Sequence, residues 1–134
     1  MITLSNINEF TNQQIFEQCA KHLINQGKQS KGKVAVSCKY REGNLKCAVG
    51  CFISDDEYSA DMEGWEVWEL ITDFYPDVDS SKTTLLRELQ VIHDTHIPAE
   101  WKELLLHLAG DYKLDTTFFD DLPPKKVIPC TSKK

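Results

Sequence analysis

The chain has 134 residues, of which 41% are hydrophobic and 27% charged, and carries a formal net charge of -6. That length predicts one domain able to fold without staples, and the composition excludes an intrinsically disordered chain. No apolar run approaches the ~18 residues of a membrane span and no basic-then-apolar leader opens the chain, so a cytoplasmic protein without membrane contact is expected.

The first element is the best signalled. Thr11 with Gln14 three residues later makes a capping box, and Phe10 with Ile15 makes a hydrophobic staple around it. Ile15, Phe16, Cys19, Ala20, Leu23 and Ile24 then recur at helical spacing until Gly27 supplies a left-handed stop. Cys19 lies on this stripe and reads as core packing, since a free cysteine behaves as a small hydrophobe.

A polar segment with Gly27 and Gly32 leads to Val34–Arg41, whose β-branched and aromatic content predicts a strand. Glu42, Gly43 and Asn44 form a turn, and Leu45 to Ile53 returns as a short strand that becomes helical near Cys47. A second helix is predicted over 62–75, with Trp65, Trp68, Ile71 and Tyr75 on one side and Pro76 as its stop. A third covers 81–96, with Leu85, Leu86, Leu89, Ile92, His93 and His96 inward. A fourth begins at Pro98 and carries Trp101, Leu104, Leu105 and Leu108, with Gly110 as its cap. The expectation is an α+β fold, mainly helical with about four helices and one small β-hairpin. Residues 1–114 form the single globular domain, and 115–134 are a C-terminal extension ending in a mobile basic tail.

Charge is distributed unevenly. Residues 1–46 carry seven basic and three acidic side chains, whereas 52–81 carry ten acids and no Lys or Arg. Direct nucleic-acid binding is disfavoured by that balance. Glu63, Glu66, Glu69 and Asp73 fall at helical spacing on a face opposite Trp68 and Ile71, with Asp55, Asp56, Glu57 and Asp61 nearby. Such an array either keeps a surface solvated or docks on a basic partner.

Three of the five cysteines, Cys38, Cys47 and Cys51, crowd into 14 residues around Tyr40 and Arg41. With an odd count and no leader, reduced thiols are expected in place of a disulfide framework. One chemical use is a thiol nucleophile: Cys47 near Lys46 and Arg41, with His93 as base. Asp94 is a poor orienter for His93, because adjacent side chains diverge on a helix; an acid from 55–63 would serve better. The alternative for this pair is a buried thiol and a hydrogen-bonded core histidine. A second use is zinc held by Cys38, Cys47, Cys51 and His96 beside His93, although only Cys47 and Cys51 have common ligand spacing. No cofactor is expected, since neither glycine-rich nucleotide fingerprint occurs. Arg41 suits either a bidentate anion contact or a brace onto Asp55, Asp56 or Glu57.

These residues occur in a familiar order: Phe16 to Leu23 with Gln26-Gly27, Cys38-x-Tyr40-Arg41, Lys46-Cys-Ala-Val-Gly50, Asp55 to Tyr58, Met62-Glu-Gly64, and Leu89-Gln-x-x-His-Asp94 before Trp101. The chain resembles a set of small uncharacterised proteins of bacteriophages and prophages over residues 11–113. Cys51 departs from that pattern, which speaks against a metal role for it. The resemblance implies phage or prophage origin and little chemistry. The reading that follows is a non-catalytic protein in the host cell cytoplasm that binds and modulates a host or defence protein with a basic surface. Its contact residues would be Tyr40, Arg41, Asp55, Asp56, Glu57, Glu63, Glu66 and Asp73. The alternative is a thiol-dependent hydrolase or transferase using Cys47 and His93.

Overall fold

The structure is a computed structural model that describes residues 1–31 and 39–122. Among the described residues it has four α-helices and a two-stranded antiparallel hairpin, a mainly helical α+β fold as expected.

Helix α1 (Asn12–Gln26) begins at Thr11 with the full capping box and ends at Gly27, whose φ of 65° lets its N–H reach the Leu23 carbonyl. Its stripe of Ile15, Phe16, Cys19, Ala20 and Leu23 is buried. The expected strand over 34–41 falls mostly on residues outside those described; what is seen is β1 (Arg41–Glu42) paired with β2 (Leu45–Lys46), Arg41 opposite Lys46. Gly43 takes the first central position of the connecting turn with φ +60°, a place where tight hairpins favour glycine. Gln26 of α1 pairs with both backbone groups of Lys46, accepting from its N–H at 2.9 Å and donating to its carbonyl at 2.7 Å. A side-chain amide thus does for the hairpin edge what a third strand would do.

The chain then dives into the core. Residues Cys47 to Ile53 are buried through a turn and a 3-10 turn at Gly50–Phe52, and Leu4 donates its N–H to the Phe52 carbonyl at 2.7 Å. Gly50 is required here by contact: a Cβ would stand 2.2 Å from the Tyr40 carbonyl oxygen.

Helix α2 (Val67–Phe74) is shorter than the sequence suggested, and its inner face is different. Gly64, at φ +85°, breaks the run, and Glu66 starts the helix through a capping box with Glu69. Val67, Leu70 and Ile71 are buried, whereas Trp65 and Trp68 are exposed. The later start makes 67, 70, 71 and 74 the apolar stripe, and Trp68 lies one ~100° step off it. Helix α3 (Ser80–Thr95) buries Leu85, Leu86, Leu89, Gln90, Ile92 and His93; His96 falls outside it as an extended C-cap and is half-buried. Helix α4 (Pro98–Tyr112) starts on proline and runs through Gly110, ending at Lys113 in the left-handed region with φ 57°. The expected Gly110 stop fails because the final turn is held further on, by Tyr112 bonding Glu88 and by Leu114 N–H on the Ala109 carbonyl.

Helix α1 packs on α3 and α4, and α2 packs on α3. The core also takes in Phe118 and Phe119, stacked on each other and edge-on to Phe16 at 5.9 and 6.3 Å, so the packed unit continues past residue 114. The expected tail from Pro123 lies outside the described residues.

Candidate functional site

Cys47 and His93 take the other reading of that pair, a buried thiol and a hydrogen-bonded core histidine. Cys47 is fully buried, and its Sγ accepts the Gly50 N–H at 3.2 Å. Burial pushes its thiol well above the ordinary range, and the Gly50 and Gln90 contacts offset only part of that. Cys51 donates to the Ala48 carbonyl at 3.2 Å, and Cys19 approaches the same oxygen at 3.9 Å, so one carbonyl gathers two buried thiols. Burial raises the Cys19 thiol as well.

His93 is also fully buried. Its Nε2 accepts the Ser30 N–H at 3.0 Å, which makes Nδ1 the donor to Asp94 Oδ1 at 2.7 Å. Trp101 stacks on the ring at 5.4 Å. With both nitrogens committed, His93 has none left for a thiol proton. The expectation that Asp94 turns away from His93 is corrected: Gln90, one turn earlier, holds the carboxylate at 2.8 Å and draws it over the imidazole. Gln90 in turn accepts the Val49 N–H at 2.9 Å, so the core turn and α3 are stitched through one amide.

For the zinc set, Cys38 lies outside the described residues. Cys47 and Cys51 are bonded as above, and His96 sits beside Glu100 with Nδ1 at 3.4 Å. Among the described residues no group of three or more His, Cys, Asp or Glu is arranged to hold a metal ion.

Arg41 and Glu63 form a brace. The Arg41 guanidinium donates to the Ile53 carbonyl at 2.7 Å and to Asp55 at 2.8 Å, and lies over the Tyr58 ring at 4.8 Å. Glu63 accepts the backbone N–H groups of Tyr40 at 2.9 Å and Arg41 at 3.1 Å, and the Tyr58 hydroxyl at 2.6 Å. Burial and the Glu63 bond push the Tyr58 hydroxyl up to about 12. The placement of Glu63 on an outer acidic face is therefore corrected. It precedes the helix, and its carboxylate turns inward to satisfy two backbone donors that would otherwise be left without partners.

The rest of the acidic segment faces outward. Asp55, Asp56, Glu57, Asp61, Glu66, Glu69, Asp73, Asp77 and Asp79 are all exposed. Among the described residues, the ion pairs on this stretch involve Asp55, with Arg41 and Lys46, and Glu66, with Arg87 at 2.6 Å. Beside Trp65 and Glu66 a cleft of about 470 Å³ opens against Arg87, Gln90 and Asp94 of α3, with Tyr40 in its wall. The Tyr40 hydroxyl donates to the Trp65 carbonyl at 2.6 Å, and burial raises its pKa strongly. Arg87 and Gln90 were not singled out as site residues in the sequence, and Asp94 was weighed there as an orienter of His93 and set aside. The spacing of Gln90 and Asp94 four apart on one helix face was a usable signal for their contact.

Against protein families, curated proteins and solved structures, the chain finds no match.

Proposed function

We propose that the chain is a non-catalytic, phage-type accessory protein of the host cell cytoplasm that binds and modulates a host or defence protein. The contact surface is the acidic connector with the outer side of α2, and the partner presents a basic surface. One contrast carries the reading: nine of the ten acids in 52–81 are exposed, while Cys47 and His93, the residues an enzyme would need, are sealed and hydrogen-bonded. A buried thiol held far above neutral pH is a poor nucleophile. The phage-type setting rests on the sequence resemblance, and the acidity of the surface favours a protein partner over nucleic acid.

The contact set becomes Asp55, Asp56, Glu57, Asp61, Glu66, Glu69 and Asp73, since Tyr40 is buried, Arg41 is engaged by the Ile53 carbonyl and Asp55, and Glu63 serves the interior. Asp56, Asp61 and Asp73 are the suitable positions for a test, because Glu66 and Glu69 cap α2. The full chain and an Asp56→Lys/Asp61→Lys/Asp73→Lys variant are used to capture partners from a bacterial host lysate, and the captured protein is purified and titrated against both. The expected result is at least about tenfold weaker binding by the variant and a strong salt dependence for the wild type. Equal affinities would refute the acidic surface as the contact.

A further inference from the structure

Behind the hairpin, two thiols from distant parts of the chain share one acceptor. Cys51 donates to the Ala48 carbonyl at 3.2 Å, and Cys19 of α1 approaches the same oxygen at 3.9 Å. The two side chains also interact with each other. Their backbones are close as well, since Gln18, next to Cys19 on the helix, donates its amide to the Cys51 carbonyl at 3.3 Å. Both cysteines are free thiols. Cys47 is the third sulfur nearby, but its Sγ is committed to the Gly50 N–H at 3.2 Å.

The pair is unequal in a way that orders a reaction. Cys19 is sealed at 0% exposure on the α1 stripe, whereas Cys51 keeps 6%. Cys51 also sits in a three-residue 3-10 turn, and its N–H reaches the Cys47 carbonyl at 3.3 Å. Short 3-10 turns have poorer hydrogen-bond geometry and open more readily than a helix interior. Burial keeps the Cys19 thiol protonated. A small oxidant therefore meets Cys51 first, and Cys19 is the thiol in place to resolve it.

We propose that Cys19 and Cys51 form a reversible oxidation site, closed to a disulfide by hydrogen peroxide. The Cys51 sulfur takes one peroxide oxygen and becomes a sulfenic acid; the O–O bond breaks, and the departing hydroxide leaves as water with the thiol proton. The Cys19 sulfur then bonds the Cys51 sulfur, the S–O bond breaks, and that hydroxide leaves as water with the Cys19 proton. Two thiols lose two electrons in all, and one hydrogen peroxide is reduced to two waters. The crosslink ties α1 to the turn that leads into the acidic connector, where Arg41 holds the Ile53 carbonyl and Asp55. The site is separate from the docking surface proposed above and needs no partner protein.

The test exposes the folded full chain to equimolar hydrogen peroxide, unfolds it in excess alkylating reagent, and maps its peptides by mass. The expected product has Cys19 joined to Cys51 and Cys47 alkylated. A dithiol should reverse the link, and the oxidised chain should melt at least about 5 °C higher, because the crosslink restricts the unfolded chain. Cys19→Ala should divert the reaction to sulfinic acid at Cys51; if that variant does not fold, the wild-type peptide map decides alone. An unchanged wild-type mass, or sulfinic acid at Cys51 with no crosslink, would overturn the proposal. So would a bond to Cys38, Cys47 or Cys130 in place of the Cys19–Cys51 link. A Cys19–Cys51 bond that forms no faster than global unfolding would overturn it too, since the folded pairing would then play no part.

Discussion

The Nε2 of His93 accepts the Ser30 backbone N–H at 3.0 Å, joining the end of α3 to the segment after α1 across 63 positions. This bond fixes the neutral tautomer, aims Nδ1–H at Asp94, and gives a buried backbone donor its partner. His93→Phe keeps a ring against Trp101 but strands the Ser30 N–H. It should lower stability by about 2 kcal/mol, read as a fall in urea midpoint with an unchanged slope.

Cys47 should resist alkylation in the native state. Its labelling rate is expected to follow global unfolding rather than rise with pH as an exposed thiol would, because the sulfur is buried and already accepts from Gly50. Rapid native labelling of Cys47 at neutral pH would contradict the sealed geometry and revive a thiol enzyme.

Glu63 and Asp56 differ in role although both lie in the acidic segment. Glu63→Ala removes the acceptor for two backbone N–H groups and one hydroxyl, and should cost about 2–3 kcal/mol. Asp56→Ala, at an exposed site, should stay within about 0.5 kcal/mol. Paired chemical denaturation of the two variants checks the contrast.

Gly50→Ala tests the closest backbone approach in the core. The added methyl meets the Tyr40 carbonyl oxygen at 2.2 Å and its carbon at 3.1 Å, and neither can move without shifting the hairpin. A loss of about 3 kcal/mol is expected, measured as a lowered melting temperature.

His22 gives the fold a weak acid sensitivity. Burial lowers its pKa below the ordinary 6.5, and the nearby Lys46 charge adds to that, while its hydrogen bond to the Lys46 carbonyl at 2.9 Å works the other way. The unfolded chain therefore takes up the proton first. The His22 contribution is intact above 6.5 and declines as pH falls from there to the lowered folded value. Melting temperatures between about pH 7 and pH 5 should fall in the wild type, and His22→Gln should flatten the part of the slope due to this residue.

Much of the helical frame was legible from local pattern. Thr11, Gln14 and Gly27 delimit α1, and Pro98 opens α4, because caps and first-turn prolines act within one helical turn. The second helix was misjudged where a strong aromatic periodicity competed with a start signal: Trp65 and Trp68 read as core, yet Gly64 and the Glu66–Glu69 box delay the helix and turn them outward. The sites were harder to read. Asp94 on His93 and Glu63 on the Tyr40–Arg41 backbone depend on side-chain directions that spacing does not encode.

From the sequence alone came the mainly helical class, the hairpin turn at Gly43, the stripe of α1 and the concentration of acid in 52–81. These follow from period, cap chemistry and composition, all properties of neighbouring residues. Only the tertiary structure decided that Cys47 and His93 are sealed, that Glu63 serves the interior while the other acids of its segment face out, and that Trp65 and Trp68 stand at the surface, Trp65 lining a cleft. Each of those depends on which backbone donors and apolar faces meet across the chain, and such pairings are set by global packing rather than by local propensity.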